Sequence, residues 1–177
     1  MVEEIKVILE GNENLTDEVK DNLLELITIF HEIFKDVDLT TLKERLKTLK
    51  IKRESMYLVK MPCKYIPHNN EIAINYGLIT EADARHWLMH SLLGVITAKD
   101  NYYGFNDEQD SLLALNEGYT EILTNNLVGD VDNNFFTDEI IMTNLISKVI
   151  GNDVLYNAYF SNDAKMVVKA MAEAEVK

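Results

Sequence analysis

Between Thr16 and Phe34, apolar residues recur three or four positions apart, a pattern that indicates a helix with one buried face. This face comprises Val19, Leu23, Leu26, Ile27, Phe30, Ile33 and Phe34. Thr16 can cap the helix, because a threonine hydroxyl accepts a hydrogen bond from a backbone N–H of the first turn. A second helix is predicted over residues 39–49, so residues 1–50 are expected to form a helical pair.

The pattern changes near residue 55. The segments 57–61 and 71–75 are short and apolar, and the prolines and asparagines between them are typical of turns. We expect a small antiparallel hairpin or sheet in this region. An edge strand at Glu71–Asn75 would be able to pair with an extended peptide, since the edge of a sheet presents unpaired backbone groups.

Helices are predicted again after residue 80. Residues 80–83 (Thr-Glu-Ala-Asp) have the form of a capping box and begin a helix that runs to about residue 97. A further helix spans about residues 108–127, and another runs from Thr137 to Gly151. One or two more helices complete the chain.

Composition supports a single folded domain. The chain has 177 residues, of which 47% are hydrophobic, with only seven glycines and two prolines to interrupt helices. We therefore predict an α+β, mainly helical fold over residues 1–177, with an N-terminal helical pair at 1–50, a small sheet and a helix at 55–98, and C-terminal helices at 108–177.

Charge and targeting signals narrow the classes of partner. The net charge of −13 repels phosphate backbones and anionic lipids, so neither nucleic acid nor a membrane is the expected partner. The first residues are acidic and do not resemble a secretory signal, and no run approaches the roughly 18 apolar residues of a membrane span. The expected location is the cytoplasm. Cys63, the only cysteine, has no evident base beside it and is not expected to act as a nucleophile.

Two histidines four residues apart, His86 and His90, lie in an apolar segment that is predicted to be a buried helix. Side chains at this spacing share one helix face, so both imidazoles can bind one metal ion. The next helix carries Glu117 and Glu121 at the same spacing. One carboxylate can complete a three-ligand zinc site, and the other can accept a hydrogen bond from a histidine. Without metal, the four side chains could instead satisfy one another as a buried polar cluster.

These two segments resemble the gluzincin branch of zinc metallopeptidases. The gluzincin pattern is a His-Glu-x-x-His helix followed by a helix with Asn-Glu-x-x-x-Asp/Glu, which correspond here to His86–His90 and Asn116–Glu121. The segment Ala114–Glu121 is also similar to small bacterial peptidase-like proteins that carry an Ala-Leu-Asn-Glu-Gly-x-Thr-Glu signature. The resemblance implies a zincin-like fold with a pair of site helices.

The same resemblance assigns roles to individual residues. It implies that Zn²⁺ is bound by His86, His90 and Glu117. Glu121 and Asn116 would contact these ligands and orient them without binding the ion. It also makes Tyr156 and Tyr159 candidate donors to a developing oxyanion. Their helical spacing among apolar neighbours is equally typical of core aromatics.

Trp87 stands where the gluzincin pattern has the glutamate that activates water. An indole cannot accept that proton, and loss of a general base costs on the order of 10²–10⁴ in rate. We therefore interpret the chain as a metallopeptidase-like protein that has lost ordinary hydrolysis and keeps a zinc site and a cleft for a peptide or protein. One alternative is an active zinc peptidase with Glu108, Asp110 or Glu121 as its base. The other is a non-catalytic acidic interaction or inhibitor protein.

Overall fold

The computed structural model describes residues 1–53, 61–80, 82–108, 111–129 and 135–175. The helices are α1 (Val2–Glu10), α2 (Asp17–Ile33), α3 (Thr40–Leu46), α4 (Ala84–Ile96), α5 (Leu113–Val128), α6 (Thr137–Ile150), α7 (Asn152–Ser161) and α8 (Ala164–Glu175). The strands are β1 (Lys50–Arg53), β2 (Cys63–Ile66) and β3 (Glu71–Ile74). The predicted α+β, mainly helical fold with a small sheet is confirmed.

The N-terminal helices follow the predicted pattern closely. The backbone N–H of Val19 donates to Thr16 Oγ1 (3.4 Å), which confirms the predicted cap of α2. Ile33, however, is 55% exposed and does not belong to the buried face. Helix α1 has no counterpart in the prediction. Helix α3 ends at Leu46, where the side-chain amide of Asn12 donates to the carbonyls of Leu46 (2.8 Å) and Leu49 (3.0 Å).

The sheet differs from the prediction in its topology. Its strand order is β1-β3-β2, with β1 parallel and β2 antiparallel to β3, so the sheet is mixed. The predicted edge strand at Glu71–Asn75 is therefore wrong, because β3 (Glu71–Ile74) lies in the centre with both of its edges paired. Of the predicted strand at 57–61, residues 57–60 lie outside the described residues. The segment between the prolines forms β2, and the predicted turn residues at 67–70 connect it to β3 in an antiparallel hairpin.

Strand β2 lies directly against helix α4. Side chains alternate between the two faces of a strand, so Cys63 and Tyr65 both point towards the helix, and their partners His90 and Gly94 are one helical turn apart. A Cβ atom at Gly94 would stand 3.1 Å from the Cβ atom of Tyr65, a tighter approach than ordinary packing. The glycine thus lets the strand lie close enough for Cys63 to reach α4.

The helices that carry the two motifs begin later than predicted. Thr80 Oγ1 donates to Asp83 Oδ2 (2.7 Å), so the expected side-chain contact forms, but α4 starts only at Ala84. Helix α5 starts at Leu113 instead of residue 108. Helix α6 begins at Thr137 as predicted and ends at Ile150, followed by Gly151 with a φ of 91°. Within the described ranges, the helices are all too short or too polar to cross a membrane.

Candidate functional site

Helices α4 and α5 pack together and bring His86, His90, Glu117 and Glu121 into one cluster. The exposed fractions of these four residues are only 3%, 6%, 6% and 1%. Two imidazoles and two carboxylates have therefore been removed from water. Buried polar groups of this kind destabilise a fold unless they are paired, so the contacts among them decide what the cluster can do.

His86 is held at both ring nitrogens. Its Nδ1 lies 3.1 Å from the carbonyl oxygen of Gly129, and its Nε2 lies 2.9 Å from Glu121 Oε1. A carbonyl oxygen can only accept, so Nδ1 must carry a proton. The contact between Nε2 and Glu121 then contains one further proton, held either by the imidazole or by the carboxyl group.

His90 is paired only on one side. Its Nε2 lies 3.6 Å from Glu121 Oε2 and 3.8 Å from Glu117 Oε2, distances too long for hydrogen bonds. Neither His90 Nε2 nor Glu121 Oε2 has a hydrogen-bond partner among the described residues, although both atoms are buried. Burial, assisted by the nearby His86, lowers the pKa of His90 to about 3, so this imidazole is neutral.

Asn116 connects the cluster to the loop that precedes α5. Its Nδ2 donates to Glu117 Oε1 (3.4 Å), and its Oδ1 accepts from the backbone N–H of Phe105 (2.9 Å). The adjacent Gly104 has a φ of 57°, and a side chain there would collide with Asn116 and Tyr159. Burial raises the pKa of Glu117 to about 7, even though the bond from Asn116 favours the ionised form. Asn116 therefore orients Glu117 and anchors the loop at the same time.

Aromatic rings cover the histidines. Trp87 is 1% exposed, and its ring packs edge-on against His86 (4.8 Å between centroids) and Phe135 (5.7 Å). The ring of Phe136 stacks on that of His90 at 5.2 Å with an interplanar angle of 10°. A core aromatic residue thus stands at the position where the gluzincin pattern has its general base, and an indole cannot accept a proton.

Cys63 is a member of the cluster that the sequence did not reveal. Its Sγ lies 3.6 Å from His90 Nδ1, so the expectation that it has no base beside it is wrong. Burial raises the pKa of the thiol far above its usual range, which keeps the sulfur protonated and a poor nucleophile. The two residues are 27 positions apart, and only the alternation of β2 together with its packing on α4 brings them together.

The remaining candidate residues do not join the histidine–glutamate cluster. The hydroxyl of Tyr156 donates to Asp36 Oδ1 (2.8 Å), while that of Tyr159 pairs with Thr120 Oγ1 (2.7 Å) inside the core. Glu108 is exposed in the loop before α5. Asp110 lies outside the described residues. The structure therefore joins the two predicted motifs but gives both tyrosine hydroxyls partners elsewhere.

The donor set fits zinc in its chemistry, but the side chains are not arranged as a finished site. In the part of the chain that the structure describes, no group of three or more His, Cys, Asp or Glu side chains is placed so that it could hold a metal ion. Two ligands of one tetrahedral zinc stand about 3.3–3.6 Å apart. The two contacts of His90 Nε2 are near this spacing, whereas His86 and Glu121 are too close and share a proton. Zinc binding would require the carboxylate of Glu121 to move away from His86 Nε2 and the shared proton to leave.

Comparisons with known proteins give no relative: no protein-family model, curated protein or solved structure matches this chain. The resemblance of the two motifs to gluzincins therefore remains a prediction, and what the site can do is argued from its own geometry.

Proposed function

We propose that this chain is a zinc-binding, gluzincin-like protein that has lost ordinary peptidase activity and uses the metal to stabilise its fold. One observation carries the proposal. The Nε2 atoms of both histidines point at the same carboxylate, that of Glu121, while each Nδ1 faces another partner, the carbonyl of Gly129 or the sulfur of Cys63. Metal-binding histidines have this arrangement, because a partner on the far nitrogen orients the ring and leaves the near nitrogen for the ion.

Two unpartnered atoms support the same conclusion. His90 Nε2 and Glu121 Oε2 are buried 3.6 Å apart, and each buried polar atom without a partner costs roughly 1–3 kcal/mol. A divalent cation would accept lone pairs from both atoms and remove this cost. It would also replace the proton that His86 and Glu121 now share.

The surroundings of the cluster argue against hydrolysis. Trp87 cannot take a proton, and Glu121 is already bound to His86. Burial of all four side chains leaves little room for a substrate at the histidines. A stabilising role needs neither a general base nor room for a substrate, since a structural zinc is enclosed by protein groups.

Metal analysis with matched histidine variants tests the proposal. The untagged protein, purified without chelator, is expected to hold close to one zinc per chain, and His90→Ala is expected to lose it. His68→Ala serves as the control, since His68 is exposed in the turn between β2 and β3 and should leave the zinc content unchanged. Absence of zinc from the wild-type protein, even after zinc is supplied, would contradict the proposal.

Activity separates this proposal from the active-peptidase alternative. A peptide library incubated with the zinc-loaded protein is expected to remain intact. Cleavage that stops on chelation and is also lost in His90→Ala would show that the site is catalytic and that another residue acts as base.

A second candidate function, peptide binding, is favoured by one groove. Strand β2 has β3 as its only partner strand among the described strands, and a groove of about 300 Å³ lies beside it. Lys64, Ile66, Tyr102 and Leu113 contribute to its lining. An extended peptide could add its backbone to β2 and place side chains in this groove.

Leu113 offers a direct test of peptide binding, because it is 40% exposed at the groove. Leu113→Asp is expected to weaken at least tenfold the binding of peptides selected from a random library, while Val7→Asp on the exposed face of α1 should not change it. Equal binding by both variants would exclude the groove as the peptide site.

A further inference from the structure

The outward face of α6 carries an apolar stripe. Ile141, Leu145 and Val149 follow one another at four-residue spacing, and each of them is more than half exposed. On the opposite side of the helix, Thr143 is buried against Gly118 of α5. Single exposed apolar residues are ordinary on a protein surface. Three of them on one helix face form a continuous patch, and such patches are typical of sites of association.

Charged residues of opposite sign lie on the same face. Asp138 in the first turn and Lys148 in the last turn are both exposed. Neither forms an ion pair with another of the described residues. Together with Ile141 and Leu145 they recur after three, four and three positions, which is the spacing of the contact residues in paired helices. The two charges are therefore placed to meet groups on another helix.

This arrangement is complementary to itself when two copies of α6 lie antiparallel. With a two-fold axis at the level of Thr143, each Ile141 lies opposite the Leu145 of the second copy. The same axis places each Asp138 opposite the Lys148 of the second copy, because both pairs are centred on position 143. We propose that α6 is the contact helix of a symmetric homodimer. The proposal is independent of zinc, since none of these side chains belongs to the histidine–glutamate cluster.

Charge and size set the strength of this contact. The chain has a net charge of −13, so two copies repel each other unless the surfaces that meet bring opposite charges together. A parallel pair of α6 helices would place like charges opposite each other, which leaves the antiparallel pair as the favourable one. Helix α6 has only 14 residues, and one such helix pair is smaller than the roughly 1,200 Å² of a standard interface. We therefore expect a weak dimer that forms as the protein concentration rises.

Sedimentation velocity of the full chain, over a roughly hundredfold range of concentration, tests for this dimer. The wild-type protein is expected to change from monomer to dimer across the range. Leu145→Asp should abolish the dimer, because it places a carboxylate in the middle of the apolar contact. Val7→Asp is the matched control, since Val7 is similarly exposed on α1 and should leave self-association unchanged. A wild-type protein that stays monomeric throughout, or a dimer that persists in Leu145→Asp, would overturn the proposal.

Two charge reversals test the antiparallel pairing. Asp138→Lys and Lys148→Asp each place like charges at both ends of the contact, so each variant alone should dimerise about tenfold more weakly. An equimolar mixture of the two should form a heterodimer of wild-type strength, because opposite charges then meet at both ends. The double variant should recover for the same reason. Single variants that dimerise like the wild type, or a mixture and a double variant as weak as the single variants, would show that this pairing is wrong. Circular dichroism checks that every variant keeps its helices.

Discussion

Helices α2 and α4 show two different ways of being buried. Helix α2 covers the core with one face, which carries Leu23, Leu26, Ile27 and Phe30, and the rest of it is largely accessible to solvent. Helix α4 is buried on all sides from His86 to Ile96, because α5, β2, β3, α2 and α3 all contact it. The difference teaches that burial alone does not make a helix apolar, since α4 accommodates two imidazoles by pairing them with side chains of its neighbours.

The largest effect is expected from the apolar face of α2. Phe30→Ala should lower the free energy of unfolding by about 3–5 kcal/mol, because the ring is fully buried against Phe34 and Phe160. Ile33→Ala on the exposed side should change it by less than about 0.5 kcal/mol. Urea unfolding followed by circular dichroism measures both. Similar losses of stability in the two variants would mean that the burial of α2 is not confined to one face.

The next effect concerns the contact of α5 with α6. A methyl group on Gly118 would meet the backbone carbonyl of Glu139 and the hydroxyl of Thr143. Gly118→Ala is therefore expected to lower the free energy of unfolding by about 1–3 kcal/mol. Gly11→Ala is the matched control, because its new methyl would meet only ordinary contacts, and thermal unfolding should show no loss there. A stable Gly118→Ala would indicate that α5 and α6 can separate without cost.

Two buried asparagines, one at the N-terminal helices and one at the histidine cluster, allow the stabilities of the two regions to be compared. Asn12 bonds the end of α3, and Asn116 bonds Phe105 and Glu117. Each Asn→Ala change leaves buried backbone groups unpaired and should cost about 1–3 kcal/mol in urea unfolding. Only Asn116→Ala is expected to weaken zinc binding at the proposed site as well, measured by competition with a chromophoric chelator. Weaker binding in both variants would point to a general loss of structure.

The smallest effect is expected at the start of α2. Thr16→Ala removes the acceptor for the Val19 N–H and should lower the free energy of unfolding by about 1 kcal/mol. Thr40 provides a contrast, because its hydroxyl donates to the exposed Asp38 and does not cap a backbone N–H. Thr40→Ala should therefore cost less than Thr16→Ala when both are compared by thermal unfolding.

Periodicity predicted the helices whose burial is one-sided, and spacing predicted which motif residues meet. The cap of α2 and the helix that begins at Thr137 are confirmed for this reason. The order of the strands could not be predicted, because a central strand and an edge strand of only four residues look alike in sequence. Helix α5 starts only at Leu113, and the loop before it is bonded to Asn116 through Phe105, a contact across 11 positions that no local pattern indicates.

The contacts that distinguish the two histidines could not be predicted either. Helical spacing places His86 and His90 on one face and therefore implies similar surroundings. Their real partners come from distant parts of the chain, the carbonyl of Gly129 at the end of α5 and the sulfur of Cys63 in β2. Such partners depend on tertiary packing, for which a single sequence gives no spacing rule.

The close packing of β2 on α4 also protects the sheet against misalignment. If β2 slipped by one residue along β3, Lys64 would replace Cys63 or Tyr65 on the face that meets α4. The ammonium group of Lys64 would then be buried beside the apolar core, and His90 would lose its sulfur partner. A chain in the wrong register would thus be penalised twice, so the same register that aligns this short hairpin also completes the histidine cluster.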